Sequence, residues 1–269
     1  MKKLLYLIAV LALFAPPVVH AQKKAEVSKW GREGVEAQRS KNWPKAIAAF
    51  RKVVELDPSS QNWEYLGVAY RNAVNLGEAI KAFTSAIEAD SENVSAYGNR
   101  AFALIGQKRY DEAIQDCTEV VNRQPDNVNA RRTRAFAASS KGDWKMAMDD
   151  YNAILNAHHN DVEGLKGRAY VEMQTKDYDK AIADYSELIN LKPKDEDGYL
   201  KRSRLYELKG DLPKAIADCD QALKIKPNDK EVQSRKKALE ALQNQPPPLP
   251  PPPPRNSPAA PQPAPTKPS

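Results

Sequence analysis

Side chains that commonly carry out chemistry are scarce in this sequence, which has three histidines and two cysteines among 269 residues. It contains no phosphate-binding G-x-x-x-x-G-K loop, no zinc-binding H-E-x-x-H and no redox-active C-x-x-C. His158 and His159 are adjacent, and adjacent residues on a helix point in different directions, so a shared metal is not expected. We therefore expect no metal, no cofactor and no catalytic constellation, and we interpret the protein as non-enzymatic.

The composition argues against several classes of protein. Of the net charge of +6, residues 1–21 contribute +2 and residues 245–269 another +2, so the long middle of the chain is almost neutral. A nucleic-acid-binding face needs concentrated basic charge, and no nucleic-acid partner is expected. Apolar residues make up 41% of the chain, which excludes a polytopic membrane protein. The 11 glycines and 7% aromatics argue against a β-sandwich or barrel.

The first 21 residues have the pattern of a secretory signal peptide. Lys2 and Lys3 precede an uncharged apolar run from Leu4 to Ala15, and Val19-His20-Ala21 offers small residues before a cleavage site. We predict that 1–21 is a signal peptide and that the mature chain begins at Gln22. That chain is expected to be exported, periplasmic or secreted, with no stable membrane insertion. An uncleaved N-terminal anchor is the alternative.

One motif is repeated six times through the middle of the chain, at steps of 33, 34, 34, 34 and 34 residues. In the fifth copy, YDKAIADYSELINLKP, apolar residues recur at helical spacing and form one face of a helix. Prolines stand just inside two of these helices and just beyond four of them, where they suit helix starts and stops. The copies begin at Trp43, Leu76, Tyr110, Trp144, Tyr178 and Leu212.

Another helix is predicted before each copy, so that every repeat has a first and a second helix. The first helices contain the strings WGREGVEA, WEYLGVAY, YGNRAFAL, RRTRAFAA, LKGRAYVE and YLKRSRLY, whose residues we number as places one to eight. The fifth place is always small, which lets the two antiparallel helices approach closely. One hairpin cannot bury its apolar face alone, so the hairpins are predicted to stack into a solenoid. The small residues are Gly34, Gly67, Ala101, Ala135, Ala169 and Ser203.

The period of 34, the large–small–large first helix, the Ala-Ile-x-x-aromatic second helix and the closing proline resemble the tetratricopeptide repeat (TPR). The resemblance implies an all-α fold, a right-handed superhelical solenoid of helix–turn–helix hairpins plus a C-terminal capping helix. The domain would span 22–244, with six repeats over about 27–229 and the capping helix over 229–244. Ser91 and His159 replace the usual proline and Arg131 a large apolar residue, so we expect these copies to be weaker.

Residues 245–269 are predicted to be a disordered proline-rich tail, because 13 of these 25 residues are proline. Such a sequence favours extended polyproline II. A semi-rigid spacer is the simpler interpretation. Pro250-x-x-Pro253-x-Arg255 also fits a ligand for an aromatic-lined groove.

The TPR resemblance implies a module whose first helices line a concave groove for a peptide or partner segment, with groove-facing side chains near places two, three and six. Phe102, Phe136 and Tyr170 recur at place six and either line this groove or pack against the next repeat. Aromatic and basic side chains suit a partner with apolar anchors and acidic groups. None of the sixth places is Asn, so the family's carboxylate clamp is not expected. The predicted groove residues are Tyr65, Asn99, Phe102, Arg132, Phe136, Lys166, Tyr170, Lys201 and Arg204.

Two interpretations of function remain. The first is an exported adaptor or scaffold that gathers other proteins through its groove. The second is a structural envelope component that self-associates through an end repeat, with the tail as spacer or ligand. The sequence identifies neither the partner nor the oligomeric state.

Comparison of the copies predicts two further features. Cys117 and Cys219 occupy the same place three repeats apart, so they are expected to be free thiols, because a disulfide needs Cα atoms within about 7 Å. Copies three to six carry an arginine in the first helix and an aspartate in the second, and copies one and two lack both. We predict four Arg–Asp ion pairs among Arg100, Arg134, Arg168, Arg202, Asp116, Asp150, Asp184 and Asp218.

Overall fold

The structure, a computed structural model, describes residues 17–245. Most of the predicted signal peptide and nearly all of the proline-rich tail lie outside these residues. The described part of the chain is helical throughout, which confirms the all-α prediction. Its 13 helices are α1 (Pro17–Arg39), α2 (Trp43–Leu56), α3 (Ser60–Asn72), α4 (Leu76–Ala89), α5 (Val94–Gly106), α6 (Tyr110–Arg123), α7 (Val128–Lys141), α8 (Trp144–Ala157), α9 (Val162–Gln174), α10 (Tyr178–Leu191), α11 (Glu196–Leu208), α12 (Leu212–Ile225) and α13 (Lys230–Gln243).

Odd-numbered helices α1 to α11 are the first helices of the six repeats, and even-numbered helices are the second ones. Consecutive helices pack against each other along the whole chain, and α3, α5, α7 and α9 also contact one another directly. The repeats therefore stack in sequence order, with the first helices side by side. Helix α13, which corresponds to the predicted capping helix, packs on α12. None of the helices within residues 17–245 is both long and apolar enough to cross a membrane.

Helix ends follow the repeat closely. Every second helix is 14 residues long and begins at the first residue of its motif copy. Helices α4 and α8 end at the same place as the others although Ser91 and His159 replace the closing proline. The following helices α5 and α9 begin shortly afterwards with side-chain caps, in which Asn93 and Asp161 accept hydrogen bonds from the backbone N–H groups of Ala96 and Gly164.

Helix α1 is longer than the repeat requires. Within the described residues it runs from Pro17, well before Trp30, and continues through Ala21 and Gln22, where the sequence predicts cleavage. The other first helices begin three residues before their strings. The signal peptide and its cleavage stay predictions.

The small residue at place five allows the close approach predicted for each hairpin. A Cβ atom added to Gly34 would lie 2.7 Å from the ring of Phe50, and one added to Gly67 would lie 2.5 Å from the ring of Phe83. Repeats with alanine or serine at place five carry Cys or Tyr in place of the phenylalanine. Glycine at place five thus makes room for the phenylalanine ring, and in repeats three and six the smaller cysteine accompanies the larger Ala101 and Ser203.

The turn between the two helices of each repeat uses one residue in the left-handed region. Gly142 and Gly210 adopt φ of 83° and 78°, and lysines occupy the same place in three other repeats. Val74 stands there in the second repeat with φ of 60° and is 78% exposed. A β-branched residue is strained in this region, because its Cβ substituents crowd the backbone.

The four predicted Arg–Asp ion pairs are present. In each, the arginine Nε and Nη2 donate to the two carboxylate oxygens of the aspartate on the partner helix, at 2.7–2.9 Å. Asp116 is buried, and this burial raises its pKa although Arg100 opposes the shift. Hydrogen bonding to Asp116 in turn raises the pKa of Arg100.

Each of these arginines also contacts the preceding repeat. The Nη1 atom of Arg100 donates to Thr84 Oγ1 at 3.0 Å, and the other three arginines donate to Thr118, Asn152 and Ser186. One guanidinium therefore joins the second helices of two neighbouring repeats. Arg131 was expected to weaken its copy, but its Nη1 donates to Asp150 Oδ1 at 3.1 Å and adds a second cation to that pair.

Cys117 and Cys219 are both free and buried, as predicted. Burial raises the pKa of the Cys117 thiol to about 12, which suppresses the reactive thiolate. These thiols act as small packing residues in the stack.

Candidate partner-binding surface

Four aromatic side chains on the first helices are exposed to solvent. Tyr65 is 42% exposed, Phe102 60%, Phe136 52% and Tyr170 44%, whereas Phe50 and Phe83 on the second helices are buried. The rings of Phe102, Phe136 and Tyr170 occupy place six of α5, α7 and α9. We call these three residues the aromatic row. Their exposure disfavours the alternative that they serve as core packing.

Helices α7, α8 and α9 form a cavity of about 370 Å³ within the aromatic row. It brings together four of the predicted residues, Arg132, Phe136, Lys166 and Tyr170. Gly167 opens the floor, where a Cβ atom would lie 2.2 Å from the ring of Tyr151. Because Gly167 has no side chain, the ring of Tyr151 from α8 packs against the backbone of α9 and lines the cavity.

Arg132 is held in this cavity by an acid that the sequence comparison did not identify. Its Nη2 donates to both carboxylate oxygens of Asp161, at 3.1 and 2.9 Å, and Nη1 donates to Asn129. Its Nε is buried and has no hydrogen-bond acceptor among residues 17–245. The charge of Arg132 is therefore compensated, while its Nε–H group is enclosed in the protein without an acceptor among the described residues.

Phe102 and Asn99 line a second cavity of about 430 Å³, which lies over α3, α5, α6 and α7. The guanidinium of Arg71 lies 5.5 Å from the Phe102 ring centroid, and its Nη1 donates to Asn99 Oδ1 at 2.6 Å. The amide nitrogen of Asn99 donates to Glu64 at 3.0 Å. Both ends of the Asn99 amide are thus bonded within the protein, which leaves Phe102 as the exposed feature there.

The remaining predicted residues lie at the two ends of the surface. Tyr65 stacks on Phe50 with ring centroids 5.7 Å apart and lines a separate cavity of about 500 Å³ with Val35. Arg204 pairs with Glu207 at 2.9 Å, and Lys201 lies 4.0 Å from Asp197. Neither basic residue lines these three cavities.

Glu64, Arg71 and Asp161 are the residues of this surface that sequence reasoning missed. Glu64 accepts hydrogen bonds from Ser95, Asn93 and Asn99 of the next repeat. The sequence could have identified Glu64, because it occupies place two, the place where Arg132 and Lys166 stand in later copies. Arg71 and Asp161 lie outside the eight compared places, and only the packing of neighbouring repeats reveals them.

Glu172 is a buried acid apart from the aromatic row. It stands at place eight, where the other five copies have Ala37, Tyr70, Leu104, Ala138 and Tyr206. One of its carboxylate oxygens lacks a hydrogen-bond partner among the described residues, and Arg168 is 4.0 Å from the other. Burial, followed by the charge of Asp184, raises the pKa of Glu172 to about 7. Residues 17–245 contain no group of three or more His, Cys, Asp or Glu that could hold a metal ion.

Stacked helical hairpins of one period place this molecule among the TPR proteins, whose fold is that of protein–protein interaction scaffolds. A family model described as the ETO1 C-terminal domain matches residues 54–244, about seven tenths of the chain. The chain belongs to this family, which is TPR-like.

Solved structures confirm the fold. A tetratricopeptide repeat protein from Parabacteroides merdae is 20% identical, with a TM-score of 0.66, over 81% of this chain and 93% of that one. PilF of Pseudomonas aeruginosa is 20% identical, with a TM-score of 0.62, over 81% and 99%. YrrB, described as a TPR protein with an unusual peptide-binding site, is 18% identical, with a TM-score of 0.60, over 70% and 98%. At these identities the likeness shows the fold.

One curated relative has a higher identity over a short stretch. Human neutrophil cytosol factor 2 is 37% identical over 85 residues, which are 32% of this chain. The chain spans 16% of that protein's length. The match therefore concerns a small part of the relative.

Proposed function

We propose that the protein is a non-enzymatic scaffold that binds an extended segment of a partner protein across α3 to α9. The exposed aromatic row is the observation that carries this proposal. Exposing a large apolar side chain forgoes about 1.5–3 kcal/mol of burial free energy, and this chain does so in three consecutive repeats. Aromatic side chains on an otherwise polar surface are frequent anchors of protein interfaces.

The charges around the row indicate what the partner offers. Asp161 compensates Arg132, and Glu207 compensates Arg204. Lys166 and Glu163 both line the cavity between Phe136 and Tyr170, and Lys166 is the cation there that is best placed for an acidic group. The proposed partner segment therefore has apolar anchors for the rings and a carboxylate near Lys166.

The test is capture of partners from the compartment in which the protein works. The full chain carries a photo-crosslinking phenylalanine analogue at position 170, and captured proteins are identified by mass spectrometry. Phe136→Ser with the analogue retained should remove them, because one anchor is lost. Val74→Ser is the matched control, since Val74 is an exposed apolar residue on a turn away from the row. Equal capture by Phe136→Ser and by the control would contradict the proposal.

Export to the periplasm or the medium forms part of this proposal, supported by the pattern of residues 1–21. Intact mass of the protein from the extracytoplasmic fraction should correspond to a chain that begins at Gln22. Light scattering of that protein also tests the structural alternative, because a self-associating component grows in mass with concentration.

A further inference from the structure

We propose that a cavity between α8, α9 and α10 binds the ammonium group of an alkylamine, such as a lysine side chain, at the carboxylate of Glu172. The cavity has a volume of about 640 Å³. Glu172 stands on α9 two residues after Tyr170, so it lies on the side of that helix opposite the aromatic row. The inference therefore concerns a second site and does not depend on the proposed function.

Glu172 is a buried acid whose carboxylate has no hydrogen-bond donor. The residue is only 4% exposed, and its Oε2 atom is enclosed without a partner among residues 17–245. Oε1 also makes no hydrogen bond there, and Arg168 Nε is 4.0 Å from it. Because Oε1 is not enclosed, it is the atom that is open to a ligand in the cavity. A donor placed there would satisfy a polar group that is costly to leave unpaired.

The charges that line the cavity leave room for one more cation. The lining contains three cations and four acids, and Glu172 is the acid without a cation of its own. Burial, followed by the charge of Asp184, raises the pKa of Glu172 to about 7, and a bound cation would favour its ionised form. The three pairs are Lys145 with Asp149 at 2.7 Å, Arg168 with Asp184 at 2.8 Å and Lys180 with Asp177 at 3.0 Å.

The other side chains of the lining favour an organic cation. Trp144 and Met148 are partly buried side chains of α8 that line the cavity. The methylene stem of an alkylamine can pack on them, and an indole ring also attracts a cation. A metal ion such as Ca²⁺ or Mg²⁺ needs several oxygen ligands, whereas three of the four acids here are already bonded to cations.

An NMR titration of the full-length ¹⁵N-labelled protein with N-acetyl-lysine methylamide tests the site. The backbone amide of Ala183 on α10 reports binding, because Ala183 lines this cavity and not the cavity of the aromatic row. The Kd should be about tenfold higher at pH 6 than at pH 8, because at pH 6 the ammonium must displace a proton from most Glu172 side chains. The norleucine analogue lacks the charge and should bind about tenfold more weakly at pH 8.

A titration with n-butylamine distinguishes a free amine from a lysine of a protein. If n-butylamine binds as tightly as the blocked lysine, the site recognises the amine alone. Tighter binding of the blocked lysine indicates that a peptide is the ligand. Both outcomes place an alkylammonium at Glu172 and support the inference.

Two variants separate the proposed role of Glu172 from general attraction by acidic residues. Glu172→Gln keeps the shape of the side chain and should weaken binding at pH 8 about tenfold and remove its pH dependence. Asp149→Asn is the matched control, because Asp149 is an exposed acid of the same cavity and is paired with Lys145. The control should change the Kd by less than about twofold.

Three results would overturn the inference. The first is an Ala183 signal that does not respond to the blocked lysine in the wild-type protein. The second is equal binding by the norleucine analogue or by Glu172→Gln. The third is binding to Lys180→Met but not to the wild type, which would show that the chain's own lysine fills the site.

Discussion

Removing Arg100 alone should destabilise the protein more than removing Arg100 and Asp116 together. The cost of the double change should therefore be smaller than the sum of the two single changes. Asp116 is buried at 3% exposure, and Arg100 supplies its two charge-assisted hydrogen bonds, at 2.8 and 2.7 Å. Arg100→Leu leaves that carboxylate without its cation and should cost about 3 kcal/mol. Asp116→Ala should cost about 2 kcal/mol, because Arg100 is partly exposed and keeps its bond to Thr84.

The double variant Arg100→Leu with Asp116→Ala reproduces what the second repeat contains naturally, Leu66 and Ala82. Both of those residues are buried. We expect a cost of about 2 kcal/mol for the double variant, so that the coupling energy is about 3 kcal/mol. In the double variant Thr84 loses the hydrogen bond that it accepts from Arg100. Its hydroxyl still donates to the carbonyl of Ile80 at 2.8 Å, so its proton keeps an acceptor.

Urea unfolding followed by helical circular dichroism measures all four members of this cycle. The same cycle at Lys81 and Glu78 is the control: they lie 2.7 Å apart but are exposed, and their coupling should be below about 0.5 kcal/mol. Losses that simply add in the double variant, to about 5 kcal/mol, would show that the pair has no coupling and refute the reasoning. In Arg100→Leu the folded pKa of Asp116 lies above its unfolded value, so the deficit should shrink as the pH falls through it.

Three further predictions concern single positions. Glu172→Gln should remove a pH dependence of stability. The pKa of Glu172 in the folded protein, about 7, exceeds its ordinary value of 4.5, so wild-type stability should fall by about 3 kcal/mol between pH 4.5 and 7 as the folded protein loses its extra proton. Urea titrations over that range measure it, with exposed Glu88→Gln as the control that keeps the slope. Val74→Gly should raise the free energy of unfolding by about 1 kcal/mol, because glycine accepts φ of 60° without strain, and no gain in urea midpoint would contradict this. Gly67→Ala should cost about 1–3 kcal/mol, because its Cβ would lie 2.5 Å from the Phe83 ring, whereas Gly31→Ala meets nothing within 4 Å and should be neutral or stabilising by the same assay.

Local pattern was sufficient to predict the helices of this protein. Apolar spacing and the proline and small-residue places recur six times, so each copy supports the others and errors in one copy are corrected by the rest. That is why the second helices begin where their motif copies begin, and why the loss of proline at Ser91 and His159 does not move a helix end. The extension of α1 before Trp30 has no such support, because only one copy of that segment exists.

Pairwise covariation among the copies predicted the Arg–Asp pairs, but not the second partner of each arginine. Thr84, Thr118, Asn152 and Ser186 stand at one place of four consecutive motif copies and are all small and uncharged, but each accepts from the arginine of the next repeat, and comparing places within one repeat does not reveal that contact. The charge compensation of Arg132 was hidden for a similar reason, since Asp161 belongs to the next repeat. A basic groove was therefore the natural sequence-based expectation, and the structure shows most of that charge paired.

The Arg–Asp pairs and the aromatic row belong to one arrangement of the first helix. The arginine is at place four and the ring at place six, and two residues of an α-helix turn through about 200°. A first helix that points its arginine at the aspartate of the second helix must therefore turn its ring to the opposite side. Arg100 with Phe102, Arg134 with Phe136 and Arg168 with Tyr170 all follow this rule. The buried pair fixes how the helix is rotated, and that rotation keeps the rings exposed along one side of the stack.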